Sequence, residues 1–227
     1  MKTMKKLCLW LLLLGVSPYV SAEDTIEDGR FWLTLSHDYH INERWRLNLH
    51  LQPRWRQEGG EFDQIIYRPG IYCKVAPSLS LGVGYGYILT HLTSGGNTHE
   101  QRLWQDVIYQ ANLTEDIKFL SRSRLEQRHL EGRSDVAHRF RQTVRFAVPT
   151  QLISGLSAVF YDEYFVNMND ASWGVHKGFD QNRAFFGVNY QWNQHVNADF
   201  GYLNQYVNRP NVDVENHVLA ITINTTF

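Results

Sequence analysis

The stretch that most restricts the fold runs from Ile117 to Arg128, IKFLSRSRLEQR. Alternate residues separate into two sets. Lys118, Leu120, Arg122, Arg124, Glu126 and Arg128 fall on one side; Ile117, Phe119, Ser121, Ser123, Leu125 and Gln127 fall on the other. A strand sends successive side chains to opposite faces, so the segment reads as a strand with one strongly ionic face. A helix would put Arg124 on the stripe of Ile117 and Leu120 and spoil it. Something must enclose that ionic face or hydrate it, and the rest of the chain indicates which.

The same period of two recurs along the chain. It is cleanest from Trp45 to Arg56, where Trp45, Leu47, Leu49, Leu51, Pro53 and Trp55 oppose Arg46, Asn48, His50, Gln52, Arg54 and Arg56. Further stretches are Phe31 to His40, Gln64 to Val75, Leu79 to Leu92, His99 to Leu113, Arg139 to Val148, Leu156 to Asn167, Gln181 to Trp192, Val196 to Val207 and Val214 to Phe227. Leu156 to Asn167 is apolar on both faces, so the register of residues 149–167 stays open. Gly82, Gly84 and Gly86 share one face, which points to a bend or a crowded interior.

Eleven candidate strands result, many longer than is usual in globular sheets and suited to tilted membrane crossings. Short separators at Ile41 to Arg44, Ala76 to Ser78, Thr114 to Asp116 and Asn193 to His195 alternate with longer ones at Glu58 to Glu61, Thr93 to Thr98, Glu131 to Ala137, Met168 to Lys177 and Asn208 to Asp213. Short turns at one end and long loops at the other mark outer-membrane barrels. Trp45 and Trp192 abut short turns, as an interfacial aromatic girdle requires. The expected fold is all-β: an antiparallel transmembrane β-barrel of ten to twelve strands. Twelve is preferred because bacterial single-chain barrels have even counts. The competing architecture, a secreted β-sandwich or lipocalin-like barrel, calls for shorter strands and less sorted turns.

The N-terminus reads as a cleaved secretory signal, residues 1–22. Lys2, Lys5 and Lys6 precede the apolar core from Leu7 to Val16, and Val20-Ser21-Ala22 is a small-residue cleavage site. Residues 23–227 then form the barrel. Removing the leader takes three lysines and no acid, so the formal charge moves from −1 to about −4. That balance gives no reason to expect a nucleic-acid partner. Cys73 is then the one remaining cysteine, so no intramolecular disulfide can form. The final strand alternates Leu219, Ile221 and Ile223 up to a terminal Phe227, resembling the signal that the barrel-assembly machinery reads in its clients. Expected partners are therefore that machinery, outer-membrane lipid and lipopolysaccharide, and a small anionic solute.

The motifs His99–Trp104 (HEQRLW), Arg122–Arg128 (RSRLEQR), Gly178–Arg183 (GFDQNR), Tyr67–Gly70 (YRPG) and Gly201–Gln205 (GYLNQ) resemble a bacterial family of unknown function, the one numbered 2490. The similarity covers essentially the whole mature chain. It implies an outer-membrane barrel of Gram-negative type with no established activity, and it supplies no catalytic residue.

The candidate site is an ionic network in the lumen: Glu100, Arg102, Asp106, Arg122, Arg124, Glu126, Arg128, Arg139, Arg141 and Arg145. If Leu113 pairs with Ile117, Arg124 faces Asp106, Glu126 faces Trp104 and Arg128 faces Arg102. A loop centred near Ser134 puts Glu126 opposite Arg141 and makes it a hub among Arg102, Arg124, Arg128 and Arg141. The network either fills a narrow lumen or leaves excess arginine that guides a small anion through a porin-like channel. Asp38, Glu163 and Asp199 on other strands are candidates to cancel that excess. A closed barrel that binds a partner through its loops, Met168 to Lys177 above all, is the alternative. Enzyme function is not expected: His91, His129, His138, His176 and His217 sit in no nucleophile motif. No cofactor or metal is expected, because the histidines lack paired ligand spacing.

Overall fold

A computed structural model describes residues 25–227 except residue 115; the expected signal segment lies outside the described residues. Twelve strand segments follow one another: Ile26–His40 (β1), Trp45–Arg56 (β2), Glu61–Tyr67 (β3), Gly70–Ala76 (β4), Leu79–His91 (β5), Asn97–Asn112 (β6), Lys118–Leu130 (β7), Val136–Pro149 (β8), Leu156–Asn167 (β9), Gly178–Gln191 (β10), Val196–Val207 (β11) and Val214–Thr226 (β12).

The segments number twelve, but the barrel has eleven staves. β3 and β4 hold the same register against β5, with Tyr67 opposite Tyr87 and Gly70 opposite Gly84, and both pair with β2. They are one stave interrupted at Pro69, which has no N–H to give. The ladder continues through the break: the Arg68 N–H donates to His50 O (2.8 Å) and the Tyr85 N–H to Pro69 O (3.1 Å). Neighbours in the chain pair antiparallel throughout, and the barrel closes where β1 meets β12. An odd number of up-and-down staves leaves the first and last pointing the same way, so this seam is parallel, from Ile26 opposite Val214 to Asp38 opposite Thr226. The expectation of ten to twelve strands holds, and the parallel seam is what lets the stave count be odd.

The alternation places apolar residues outside and polar ones inside. Leu49, Leu81, Val83, Leu103, Phe186, Phe200 and Leu219 are exposed on the outer wall, whereas Arg54, Asp106, Arg124, Glu126, Arg139 and Glu163 are buried in the lumen. The open register of residues 149–167 resolves with Val159, Glu163, Phe165 and Asn167 inward and Phe160 and Tyr164 outward. Trp45 and Trp192 are exposed beside the short turns, as the girdle pattern requires.

Eleven staves about 4.8 Å apart and tilted by about 40° give a barrel roughly 22 Å across, backbone to backbone. That is too wide to fill with small side chains, and large ones occupy it. Trp32, Phe185, Leu203, Val159 and Val218 form an apolar cluster inside the lumen. Trp104 packs where a stave must be bare. A Cβ on Gly84 would lie 2.1 Å from the Trp104 ring, and one on Gly70 2.3 Å from it. Of the two readings of the β5 glycines, the crowded interior is therefore the one observed.

Candidate functional site

β6, β7 and β8 present the ionic residues to the lumen in the order that alternation dictates. Leu113 bonds Ile117 across the short turn (2.9 Å), and Arg124 faces Asp106, Glu126 faces Trp104 and Arg128 faces Arg102. Asp106 receives Arg124 Nε (2.6 Å) and Nη2 (2.7 Å) together with the Tyr72 hydroxyl (2.9 Å). The like-charged pair Arg102–Arg128 is held by one carboxylate: Glu100 accepts both Nε groups, at 2.7 and 2.6 Å.

Glu126 is a hub, and of its four expected partners Arg141 bonds it, joined by Arg139. The β7–β8 register places it opposite Arg139, and Arg141 falls opposite Arg124. The turn is tighter than a loop centred at Ser134: Gly132 takes a positive φ of 76° and the Arg133 N–H donates to Leu130 O (3.1 Å). The pairing slips by two residues, which preserves the inward face. Arg139 donates to Glu126 Oε2 through Nε (3.0 Å) and Nη2 (2.7 Å), and Arg141 Nη1 donates to Oε1 (2.6 Å). Arg124 stands 4.0 Å away, and Arg102 and Arg128 turn to Glu100 instead.

Carboxylates on the strands that follow, β9 to β11, complete the network. Glu163 on β9 accepts Arg122 (2.8 Å), Arg141 (2.6 Å) and the Thr143 hydroxyl (2.9 Å). Asp180 takes Arg139 (2.8 Å) and Asp199 takes Arg145 (2.8 Å). Asp38 instead pairs with Arg46 at 2.5 Å. Each of the seven arginines expected on β6–β8 thus has a carboxylate within 3 Å. Six carboxylates serve the seven, with Glu100, Glu126 and Glu163 each shared, so the excess is largely offset and the arginines act as internal scaffold.

The uncancelled charge lies elsewhere. Arg54 is buried and its guanidinium bonds only neutral amides, Gln52 Oε1 (2.6 Å) and Gln64 Oε1 (3.1 Å). Arg68, at the Pro69 interruption, donates Nη2 to His50 Nε2 (2.6 Å), which makes that nitrogen the acceptor. Among the described residues, neither has a carboxylate at ion-pair distance. Arg183 reaches Glu163 only at 3.6 Å, and its Nε has no partner. Alternation turned all three inward; what it could not show was the lack of a facing acid.

These residues line a cavity of about 820 Å³ at the long-loop end of the lumen, bounded by ten arginines and five carboxylates. Its floor is a cation–ring stack that crosses the barrel. The Arg54 guanidinium lies 3.8 Å from the Trp32 ring, Arg183 lies between Trp32 (5.0 Å) and Phe165 (4.7 Å), and Arg141 covers Phe165 at 4.6 Å. Arg124 lies 4.1 Å over Trp104. With Trp104, Phe165 and Phe185 almost fully buried, the middle of the lumen is packed. A second hollow at the short-turn end, about 430 Å³, carries Lys118 and Arg145.

Above the cavity, two long loops are clasped. Asp135 accepts the Ser172 N–H (2.7 Å), and Asn169 accepts the His138 N–H (2.7 Å) and donates to Val136 O (3.0 Å). The Ser172 N–H, chiefly, holds the Asp135 carboxyl below the usual aspartate range. Trp173 of the same loop lies 5.0 Å from the Arg128 guanidinium. On the outer wall, His99 and His217 each face a tyrosine hydroxyl, Tyr87 at 2.5 Å and Tyr202 at 2.6 Å, and not a serine.

Comparison with known proteins gives a family and no activity. An uncharacterized protein of Methylorubrum extorquens is 32% identical over 215 residues, covering 94% of this chain and 93% of that protein. A chain from a structure reported as "Unveiling the Mechanism Behind the in-meso Crystallization of Membrane Proteins" is 16% identical over 78% of this chain and 70% of that one, with a TM-score of 0.39. The pattern for the proteins of unknown function called DUF2490 matches residues 29–216. The chain belongs to that family.

Proposed function

We propose that this protein is an outer-membrane β-barrel, closed at mid-height, that binds a small carboxylate- or phosphate-bearing anion in the arginine-lined cavity at its long-loop end. The observation that carries the binding reading is the pair Arg54 and Arg68: two lumen guanidiniums with only neutral hydrogen-bond partners. A buried charge without a counter-ion is costly, so the pair is poised for an anion. Arginine forks match carboxylate and phosphate geometry, and the cation–ring floor holds the side chains in place. The membrane reading rests on the apolar outer wall, the sorted turns and the girdle tryptophans. Phe227 agrees with it: the last residue is exposed at the short-turn end, its ring stacked on His195 at 5.0 Å, where the assembly machinery would meet it. In this setting the protein is a binding barrel and not an enzyme, with lipid and lipopolysaccharide around it.

Titration of the detergent-purified barrel with inorganic phosphate and with succinate tests the site. Binding is expected to weaken at least tenfold in an Arg54→Gln/Arg68→Gln variant that keeps its fold. Equal affinity in wild type and variant, or no binding by either, refutes it. The cationic hollow at the short-turn end favours a second reading, a narrow anion channel gated by the packed middle. Planar-bilayer recordings separate the two: silence is expected for a closed barrel, and a stable anion-selective conductance establishes the channel.

A further inference from the structure

The outer wall is apolar around its circumference, but over β6 to β10 a polar stripe crosses it among Leu103, Leu125, Phe160 and Phe186. On β2 it presents Leu47, Leu49 and Leu51, and on β12 Leu219, Ile221 and Ile223. Across the five adjacent strands β6 to β10 the same face carries Gln105, Gln127, Ser123, Gln142, Asp162 and Asn182. These side chains bond along the surface. Gln105 and Gln127 exchange amide hydrogen bonds (3.0 and 3.2 Å), Ser123 donates to Gln142 (2.6 Å), and Asn182 donates to both oxygens of Asp162 (3.0 Å each).

The depth of this stripe matters. Gln105, Gln142 and Asp162 stand seven or eight residues along their strands from the short turns. At about 3.3 Å per residue and about 40° of tilt that is roughly 18–20 Å above the short turns, inside the upper part of an apolar band about 25 Å tall. Acyl chains offer no hydrogen-bond partner at that depth. The lateral bonds leave capacity unused: Gln105 and Gln127 each keep a second amide proton and a second lone pair, and Asp162 meets one amide nitrogen where a carboxylate accepts several donors, whereas Gln142 already places Nε2 on Ser121 Oγ (2.9 Å) and Thr143 O (3.1 Å).

We propose that the β6–β10 wall is the interface of a homodimer within the membrane, with its two-fold axis along the membrane normal and passing near Gln142. The inference rests on the membrane reading above. A second copy is the occupant that matches in depth without further design, because two barrels inserted the same way carry the stripe at the same height. Amides and hydroxyls both donate and accept, so the patch is complementary to itself, as an isologous interface demands. The carboxylate of Asp162 then meets amide donors that the same patch supplies. Gln142 lies on β8, the central strand of the five, so an axis there brings Gln142 and its neighbours Ser123 on β7 and Asp162 on β9 against the second copy. Between apolar walls there is little drive to associate in lipid, where packing and polar bonds dominate; that singles out this sector.

The test uses the full mature chain in phosphatidylethanolamine–phosphatidylglycerol vesicles. Cys73 is first replaced by Ser, leaving no thiol; it lies on β4, away from the stripe. Cysteines are then introduced singly, as Gln142→Cys or, on the opposite wall, Leu49→Cys, and treated with a short bis-maleimide. Crosslinked dimer is expected to form at least tenfold more with Gln142→Cys. Single-molecule photobleaching should show two-step traces for the wild type. A Gln142→Leu/Asp162→Leu variant that still migrates as a folded, heat-modifiable barrel should lose them. Vesicle-inserted wild type that bleaches in one step, equal crosslinking at both positions, or an unchanged dimer in the double leucine variant each overturns the proposal. Failure to float with vesicles refutes the membrane reading itself, and is distinct from an inserted monomer.

Discussion

Replacing Glu126 by Gln isolates what the lumen network contributes. The side chain is 1% exposed and accepts three hydrogen bonds from Arg139 and Arg141, with Arg124 at 4.0 Å. Gln keeps the shape and one acceptor oxygen but turns an NH₂ towards guanidiniums that can only donate. Removing one partner of a buried ion pair costs about 3–5 kcal/mol, because the other charge stays buried. The low end applies here: Arg139 keeps Asp180 (2.8 Å) and Arg141 keeps Glu163 (2.6 Å). The expected loss is therefore about 3 kcal/mol, roughly two decades in the folded-to-unfolded ratio.

Urea unfolding in a fixed detergent, followed by heat-modifiable gel mobility and tryptophan emission, measures it. With a slope of about 2–3 kcal/mol/M, the midpoint should fall by about 1–1.5 M. The double variant Glu126→Gln/Arg141→Gln should lose less than the two single losses combined, since each single change strands the other charge. An Ser123→Ala control on the outer wall should move the midpoint little. A shift below about 0.3 M for Glu126→Gln, or strict additivity in the cycle, refutes the hub as a stabilising element.

Three further outcomes follow from the same geometry. Gly84→Ala forces a Cβ to within 2.1 Å of Trp104 and 2.4 Å of Pro69 O, so it should cost about 1–3 kcal/mol by overpacking, whereas Gly86→Ala, with its nearest atom at 3.3 Å on the flexible Arg68 side chain, should be milder; paired urea midpoints decide. A depressed Asp135 value means that the loop clasp is fully formed above the ordinary aspartate range and is lost as pH falls through the lowered folded value; Trp173 emission and proteolysis at Lys177 should therefore be flat from pH 7 to about 5 and change only well below about 4. N-terminal sequencing of protein from the outer-membrane fraction should read from Glu23, and a start at Met1 refutes the leader assignment.

The parts of the fold that could be read in advance depend on short-range order. A period of two is a local property, so the inward arginines, the outward leucines and the Asp106–Arg124 pairing across a three-residue turn were all legible. The residue facing Glu126 was not, because a loop's conformation, here a tight turn through Gly132, decides register and leaves no trace in the alternation. Glu163 and Asp199 are legible as acids that offset the arginines but their partners are not, and Asp180 is not legible at all. Which arginine an acid meets depends on inter-strand register over two or three staves, which alternation does not set. The eleven alternating stretches are the eleven staves, Gln64 to Val75 among them; the even-count rule asks for a twelfth, and the parallel β1–β12 seam closes the barrel without one. The polar outer stripe was written in the same alternation, on the face that attention to arginines left aside.

The seam connects this geometry to assembly. Every ladder except β1–β12 joins staves that follow one another in the chain, whereas the seam brings together residues such as His37 and Thr225, 188 positions apart and bonded at 2.7 Å. Closing a loop of that length costs about 2 kcal/mol more than closing a hairpin of roughly 20 residues, and parallel pairing returns slightly less per residue. Closure is therefore the slow step expected of such a chain, following the hairpins. Glu126, Arg139, Arg141, Glu163 and Asp180 all lie on β7 to β10, so their network can form before closure. The floor of the cavity cannot, because Trp32 on β1 must meet Arg54 from β2 on one side and Arg183 from β10 on the other. The ionic scaffold thus belongs to the wall, and the candidate anion site to the closed barrel.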